Sequence, residues 1–463
     1  MAFKINGIDF KSQTFQIIFI ASLSQFSISM ILNCMHVLLP AISSELTISV
    51  ELLNWITIIF LMTLLAFSIP LSQNVGYVGV KLYMQIGSIG LIAGLLLNSI
   101  SGNIELFFVS RIIQGLAIAI LNVCVYMIII LGVPKNKVGY ALGLVSSAGY
   151  VGMLISPTFS GMISYFLNWR YVFILLVFIF IFLFILMQLV KDEWKPEKKA
   201  IDLKGSIIFI SFTCLLVYGL STITEGGLTP FIVSIILFIV FIKVEHNKEH
   251  PLFNLKLFKN IPYLIGNYAA MVCHVISFTV NYLLSIYLQI VLGLNGYLTG
   301  LVMMITPIIM VIVSPYSGKL SDYKDARILS IYGMIFMGLA MALLGILEFY
   351  PFILIVVALV SRGIGHGMFS APNNKFVLNE IPQENLSEAS ALLSSTKEFG
   401  RILSLAVFNI ICLVIMKPVP IQKDIKGFAL SMKTMMGVAV IFAVSSIILI
   451  WISKSYLKKE LKS

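Results

Sequence analysis

Runs of about twenty apolar residues, separated by short polar connections, follow one another along nearly the whole chain. A helix rises about 1.5 Å per residue and needs about 20 apolar residues to cross a hydrocarbon core of roughly 30 Å. It also satisfies its own backbone hydrogen bonds, which lipid cannot do. The pattern predicts fourteen transmembrane helices, over 15–38, 53–73, 83–102, 106–131, 138–164, 170–190, 205–223, 228–244, 262–290, 297–317, 328–347, 351–371, 388–416 and 430–453. The ninth and thirteenth are long enough to hide a turn. The expected class is an all-α membrane protein, with its function carried by the few polar residues inside the spans.

Composition leaves no soluble alternative. Of 463 residues, 59% are hydrophobic and 11% charged, and the mean hydropathy of +1.02 exceeds what a water-soluble fold could bury. Lysines and arginines concentrate in every second connection, among them Lys81, Lys135, Lys137, Lys191, Lys195, Lys198, Lys199, Lys204, Lys319, Lys324 and Arg327, and in the tail at Lys454, Lys458 and Lys459. The opposite connections hold Arg170 and a small group, Lys417, Lys423, Lys426 and Lys433. By the positive-inside rule both termini are expected in the cytoplasm. The net charge of +11 then belongs to loops facing anionic lipid and calls for no nucleic acid. The five cysteines fall in spans with neither metal-ligand spacing nor a disulfide framework. The polar start MAFKINGIDFKSQ runs into a full span without an A-x-A-like cleavage site, so no removable leader is expected. The polar stretch 191–204 reads as a linker. Frequent Ile, Lys and Asn suggest an AT-rich prokaryote and hence a cell membrane.

The two halves echo each other. The connection after the second span, SQNVGYVGVK from Ser72, is answered after the tenth by GKLSDYKDAR from Gly318, 246 residues on. SRIIQG with Arg111 in the fourth span is answered by SRGIGHG with Arg362 in the twelfth, 251 residues on. The offsets predict a six-helix unit used twice, with the seventh and eighth helices inserted: 1–200, then 201–255, then 256–463. Paired repeats are a common way to build a transporter.

In order along the chain stand Arg111, Gln114 and Gly115; Gly149, Gly152, Pro157 and Gly161; Trp169, Arg170 and Phe173; HPLFNLKLFKN from His250 to Asn260; and Tyr287, Leu288, Gln289 and Gly293. In this order they resemble the major facilitator superfamily, and within it the fourteen-helix drug:proton antiporters. The resemblance covers essentially the whole chain. It implies a major facilitator fold, proton-coupled export of lipophilic compounds, a proton-coupling role for Arg111 with Gln114, and an antiporter hinge at Gly149, Gly152, Pro157 and Gly161.

The residues themselves supply reasons. An arginine mid-membrane is costly and usually faces a cavity or a bundle interior; Arg111 either serves coupling or binds carbonyls to fix packing. Small residues at Ala148, Gly152, Ser156, Ser160 and Ser164 make a stripe for close helix approach, and Pro157 removes a helix hydrogen bond. Glu398 is a carboxyl deep in a span, suited to taking and releasing protons, yet Arg401 lies at the i,i+3 spacing of an ion pair. His36 and His274 are candidate proton sites or packing histidines. Gly318, Asp322 and Arg327 form a candidate cytoplasmic gate, with Asp322 expected to pair with Lys324 and Arg327.

The resemblance also breaks in places. In MILNCMHVLLP, Ile31 stands where the family pattern has an acid and His36 where it has Asn; Leu176 replaces an expected Asn in the sixth span; and the first-half connection keeps only Gly79 and Lys81. Either coupling has moved to Glu398 or a histidine, or the chain is an uncoupled or non-transporting member of the fold. No Walker motif and no catalytic constellation stand out, so neither ATP-driven pumping nor an enzyme is expected. No cofactor or metal is implied. The expected partners are a small hydrophobic substrate, protons and membrane lipids, with the protein as a monomer.

Overall fold

The computed structural model describes residues 4–5, 8–9, 13–46, 50–188, 190, 194, 201–222, 226–246, 248, 252, 257, 259–294, 296–347, 351–379, 381–382, 385–416 and 424–460. Within these lie fourteen long helices: α1 Gln13–Leu46, α2 Val50–Ser72, α3 Val80–Ile100, α4 Ile104–Gly132, α5 Val138–Phe166, α6 Trp169–Gln188, α7 Leu203–Ser221, α8 Leu228–His246, α9 Ile261–Ile286, α10 Gly296–Met303 continuing as Ile305–Tyr323, α11 Ala326–Gly345, α12 Pro351–Asn379, α13 Leu386–Ile415 and α14 Ile425–Glu460. Among the described residues, thirteen spans are long and apolar enough to cross a membrane. The remaining helix, α13, runs 30 residues and carries Lys397, Glu398 and Arg401.

Helix starts follow local chemistry. Side-chain oxygens of Asn103, Asp202, Asn260, Asp325 and Asp424 accept from backbone N–H groups in the first turns of α4, α7, α9, α11 and α14. These are the orphan donors that every helix N-terminus leaves. Several helices outrun the hydropathy signal. The first continues to Leu46, the tenth to Tyr323 and the twelfth to Asn379, the first and twelfth running on through Pro40 and Pro372. Gly318 and Asp322 therefore sit in the last turns of α10, with only Lys324 and Asp325 left as connection. A turn hidden in the ninth span is a π-helical segment, Tyr287–Val291, ending near Gly293 at φ +66°.

The chain forms two compact units, Met1–Lys256 with Ile381–Ser395, and Leu257–Glu380 with Thr396–Ser463. In the first, α1 packs on α5, α3 on α4 and α6, and α2 on α4. The inserted α7 and α8 pair with each other, and α7 leans on α2. A polar clasp fastens them. Lys248 Nζ reaches Asp202 Oδ2 at 2.5 Å and Glu245 Oε1 at 3.0 Å. Gln73 of the connection after α2 accepts from Asp202 N at 3.1 Å and donates to Leu252 O at 3.2 Å. Burial opposes the charge on Lys248, but the two carboxylates outweigh it and hold its pKa above the ordinary lysine value.

In the second unit, α11 packs on α12 and α14, α10 on α12, and α9 on α14 and α12. Six methionines, Met334, Met337, Met341, Met432, Met435 and Met436, lie at 2% exposure or less in its apolar core. Adaptable methionine side chains fill this core closely.

Candidate functional site

Two glycine contacts recur in both units. On α5, a Cβ added at Gly152 would fall onto the carbonyl oxygen of Phe26 in α1, with Ser29 beside it. On α13, a Cβ at Gly400 would lie 2.5 Å from the carbonyl oxygen of Met271 in α9, with His274 beside it. On α4, Gly115 meets Phe60 and Thr63 of α2; on α12, Gly363 meets Thr306 and Ile309 of α10. Each pair is 245 to 248 residues apart, from Phe26 and Met271 at one extreme to Gly152 and Gly400 at the other. Gly115 thus corresponds to Gly363, and Arg362 takes the place of Gln114. The offset of 251 between the arginines is corrected by this packing: Arg111 and Arg362 are displaced by three residues, nearly one helical turn.

In the first unit, α4 carries Arg111 into the interior at 2% exposure. Its Nη1 donates to Gln114 Oε1 at 2.8 Å, and Gln114 Nε2 donates to the carbonyl of Gly94 on α3 at 3.1 Å. The guanidinium carbon lies 5.3 Å from the Phe60 ring and 5.9 Å from the Phe107 ring. Its Nε has no partner, and no carboxylate pairs with it among the described residues. Beside this group α5 rests on α1: Gly149 faces Gln25 and Ser29, and Ser156 Oγ donates to the Met30 carbonyl at 2.8 Å. Pro157 is exposed and Gly161 half-buried. The side chain of His36 lies outside the described residues.

In the second unit, α12 grips Ser277 of α9 at both its oxygens. Arg362 Nη2 donates to the carbonyl at 3.1 Å, and His366 Nδ1 shares a hydrogen bond of 3.0 Å with the hydroxyl. Arg362 is 1% exposed, its Nε has no partner, and no carboxylate pairs with it among the described residues. His274 donates from Nδ1 to Ala270 O at 3.0 Å, and its ring centroid is 6.1 Å from that of His366. On α13, Arg401 Nη1 reaches Glu398 Oε2 at 2.9 Å, and Lys397 Nζ donates to Asn374 Oδ1 at 3.0 Å. His274, Glu398 and Arg401 therefore share one region, because Gly400 brings α13 down onto His274. A cavity of about 290 Å³ between Tyr287, Leu344, Lys426, Met432 and Lys433 is lined by none of these residues.

The gate residues separate. Asp322 pairs with Lys375 of α12 at 2.6 Å, and Arg327 pairs with Asp325 at 3.0 Å. The expected pairing of Asp322 with Lys324 and Arg327 is replaced because helical continuation to Tyr323 turns Asp322 towards α12. Gly318 is buried.

Fourteen helices, two packing repeats and a buried arginine in each unit are the setting for the comparison with known proteins. The Major Facilitator Superfamily profile matches residues 19–405. The chain belongs to the major facilitator superfamily. It is a membrane transporter of that superfamily, with many helices crossing the bilayer. The facilitator is 26% identical over 373 residues to the riboflavin transporter RibZ of Clostridioides difficile, covering 80% of this chain and 82% of that one. It is 26% identical over 369 residues to the lincomycin resistance protein LmrB of Listeria innocua, covering 78% of each. Among solved structures, the proton:xylose symporter XylE aligns with a TM-score of 0.69 at 15% identity over 95% of each chain. At that identity the likeness is one of fold.

Three features of this facilitator went unread in its sequence. Ser277 is one serine among many in apolar helices. Gly400 follows Lys397 and Glu398, whose charges draw attention from it. Glu45 lies beyond the first apolar run, yet it binds Arg170 and accepts from Trp169 Nε1 at 2.6 Å. Burial works against its charge, but the hydrogen bonds from Arg170 and Trp169 outweigh it and hold the Glu45 carboxyl below the usual carboxylate range. An offset of 245 to 248 applied to Phe26 and Gly152 would have pointed to Met271 and Gly400.

Proposed function

We propose that this facilitator is a proton-coupled exporter of hydrophobic drugs or other lipophilic compounds, working by alternating access as a fourteen-helix drug:proton antiporter. The observation that carries the reading is Glu398, 5% exposed in α13 and held by Arg401 at 2.9 Å. With Ile31 at the acidic position of the first helix, Glu398 is a carboxyl able to bind and release the coupled proton. Protonation of Glu398 frees Arg401 from its ion pair; deprotonation restores the pair. Arg111 and Gln114 support coupling in the other unit, while Gly149, Gly152, Pro157 and Gly161 let α5 rest on α1 and bend. Asp322 with Lys375 and Arg327 with Asp325 form the cytoplasmic gate around Gly318. The organisation is 1–200 and 256–463 as six-helix bundles joined by 201–255. The protein is a monomer in the cell membrane with both termini cytoplasmic, as the lysine-rich connections favour. The likeness to lincomycin resistance proteins supports export. The likeness to a riboflavin transporter supports a second reading, movement of a polar, acceptor-rich ring compound, which the cationic surroundings of His274 and His366 favour.

Transport by proteoliposomes tests the proposal. Fluorescent lipophilic cations, anions and neutral dyes are followed with and without an imposed pH gradient, beside Arg111→Ala and Glu398→Gln. Gradient-driven movement lost in Glu398→Gln is the expected result. Movement indifferent to the gradient overturns coupling and leaves a facilitator; movement of no compound favours a non-transporting member.

A further inference from the structure

Cations dominate the polar region of the second unit. The charged groups that act on His274 from α13 are Arg401 and Lys397, and those that act on His366 are Arg362, Lys397 and Arg401. Among the described residues the acid of this region is Glu398, and it is already bound by Arg401. Arg362 is almost fully buried, with one hydrogen bond to a neutral carbonyl and an Nε without a partner. A buried guanidinium without a counter-charge is costly in a low-dielectric setting, and an anion beside it would offset that cost. Lys397 and Arg401 lie four residues apart, on one face of α13, and both are half-buried. Ser277 and His274, also half-buried, stand opposite on α9. A lipophilic cation entering here would meet repulsion from three basic side chains and would have to displace Arg401 to reach Glu398.

We propose that the face formed by His274, Ser277, Lys397 and Arg401, backed by Arg362 and His366, is an anion subsite that takes the carboxylate of an amphipathic organic substrate. The proposal rests on the transport reading and narrows its substrate class: an apolar body carrying a negative charge. The two half-buried cations receive the carboxylate, and the buried Arg362 supplies a fixed positive field from behind.

Equilibrium binding to the full chain in phosphatidylcholine nanodiscs tests this without requiring flux. Three probes share one apolar body: pyrenebutyrate, its methyl ester, and the matching pyrenebutyl trimethylammonium cation. Empty nanodiscs correct for partition into lipid. The expected result is saturable pyrenebutyrate binding about 10- to 100-fold tighter than either other probe, the range that one or two charge-assisted hydrogen bonds supply. Lys397→Gln should cut that preference several-fold, and E398Q/R401Q, which removes the ion pair without leaving a bare carboxylate, should abolish it while ester binding stays. Arg401→Lys should keep most of it. Cation binding as tight as anion binding in the unaltered protein overturns the proposal, as does an undiminished preference in E398Q/R401Q that still melts cooperatively. Flux of the same probes separates the two readings. Anion binding without flux keeps the subsite and sinks the transport reading; flux of the cation with no anion preference does the reverse.

Discussion

The two units bury an arginine each, but surround it differently. Arg111 lies near two phenylalanine rings and is fixed by Gln114, which is itself tied to Gly94. Arg362 clasps a serine carbonyl among two histidines, a lysine and a second arginine. The first is a mainly apolar setting; the second is polar, and its outer members are half-buried. Similar helix packing therefore supports two kinds of interior, one mainly apolar around its arginine and one with further polar and basic groups beside it. The three-residue displacement between the arginines is part of the reason, since Arg362 occupies the place of Gln114.

The similarity of packing is the easiest part to break. Gly152→Leu and Gly400→Leu should both be severe, because each forces a side chain onto a backbone carbonyl that cannot move independently. Overpacking typically costs about 1–3 kcal/mol and sometimes more. Thermal unfolding in nanodiscs should show both variants melting well below the native protein, and a tolerated Gly400→Leu would end the equivalence of the two contacts. The difference between the arginines is sharpened next. Arg111→Gln should lower gradient-driven transport about tenfold or more with probe binding kept. Arg362→Gln should instead weaken binding of an anionic probe, and identical effects in the two variants would erase the distinction.

A smaller effect is expected at the clasp of the inserted helices, which has no counterpart in the second unit among the described residues. Lys248→Met leaves Asp202 and Glu245 side by side without their cation, which is destabilising. The stabilisation from Lys248, whose pKa is raised, is fully present below the ordinary lysine value and is lost as pH rises through the raised one. Unfolding followed against pH should therefore show a loss on the alkaline side in the native protein that is absent from Lys248→Met. The smallest effect belongs to Glu45, which is substantially exposed, so its pair with Arg170 is worth less than about 1 kcal/mol. Its carboxyl is held low, so this contribution is present above the ordinary carboxylate value and is lost as pH falls through the lowered one. Glu45→Gln should flatten that acid limb slightly, and an unchanged limb would show that the pair contributes nothing.

Helix number and type were legible because lipid imposes one solution on every apolar run of sufficient length. The helix ends were less so: hydropathy marks where lipid stops, whereas a helix can run on beyond the apolar run, as α12 does through Pro372 to Asn379. Arg111, Gln114, Glu398 and Arg401 could be picked out because charge is rare in the spans, and the last two do pair at their helical spacing. The partner of Asp322 could not, since Lys375 is 53 residues away and only packing of α10 on α12 unites them. Nor could the burial of Met334, Met337, Met341, Met435 and Met436, which composition alone leaves free and which the structure commits to the core of the second unit.

The inserted pair has a consequence beyond fastening. Helices α7 and α8 are 19 residues each, about 28 Å of helix, whereas α1 and α14 run 34 and 36 residues. Only 17% of the apolar window of α8 is buried within the protein, so its length is matched mainly by acyl chains. Where long helices can adjust to a thicker bilayer by changing tilt, this short pair has no residues to spare. Lipids with longer chains would strain α7 and α8 along with the 20-residue α6 and α11, and through Asp202 and Gln73 the strain on the inserted pair would pull on the end of α2. Bilayer thickness thus becomes an input to the protein, entering through its least buried helix.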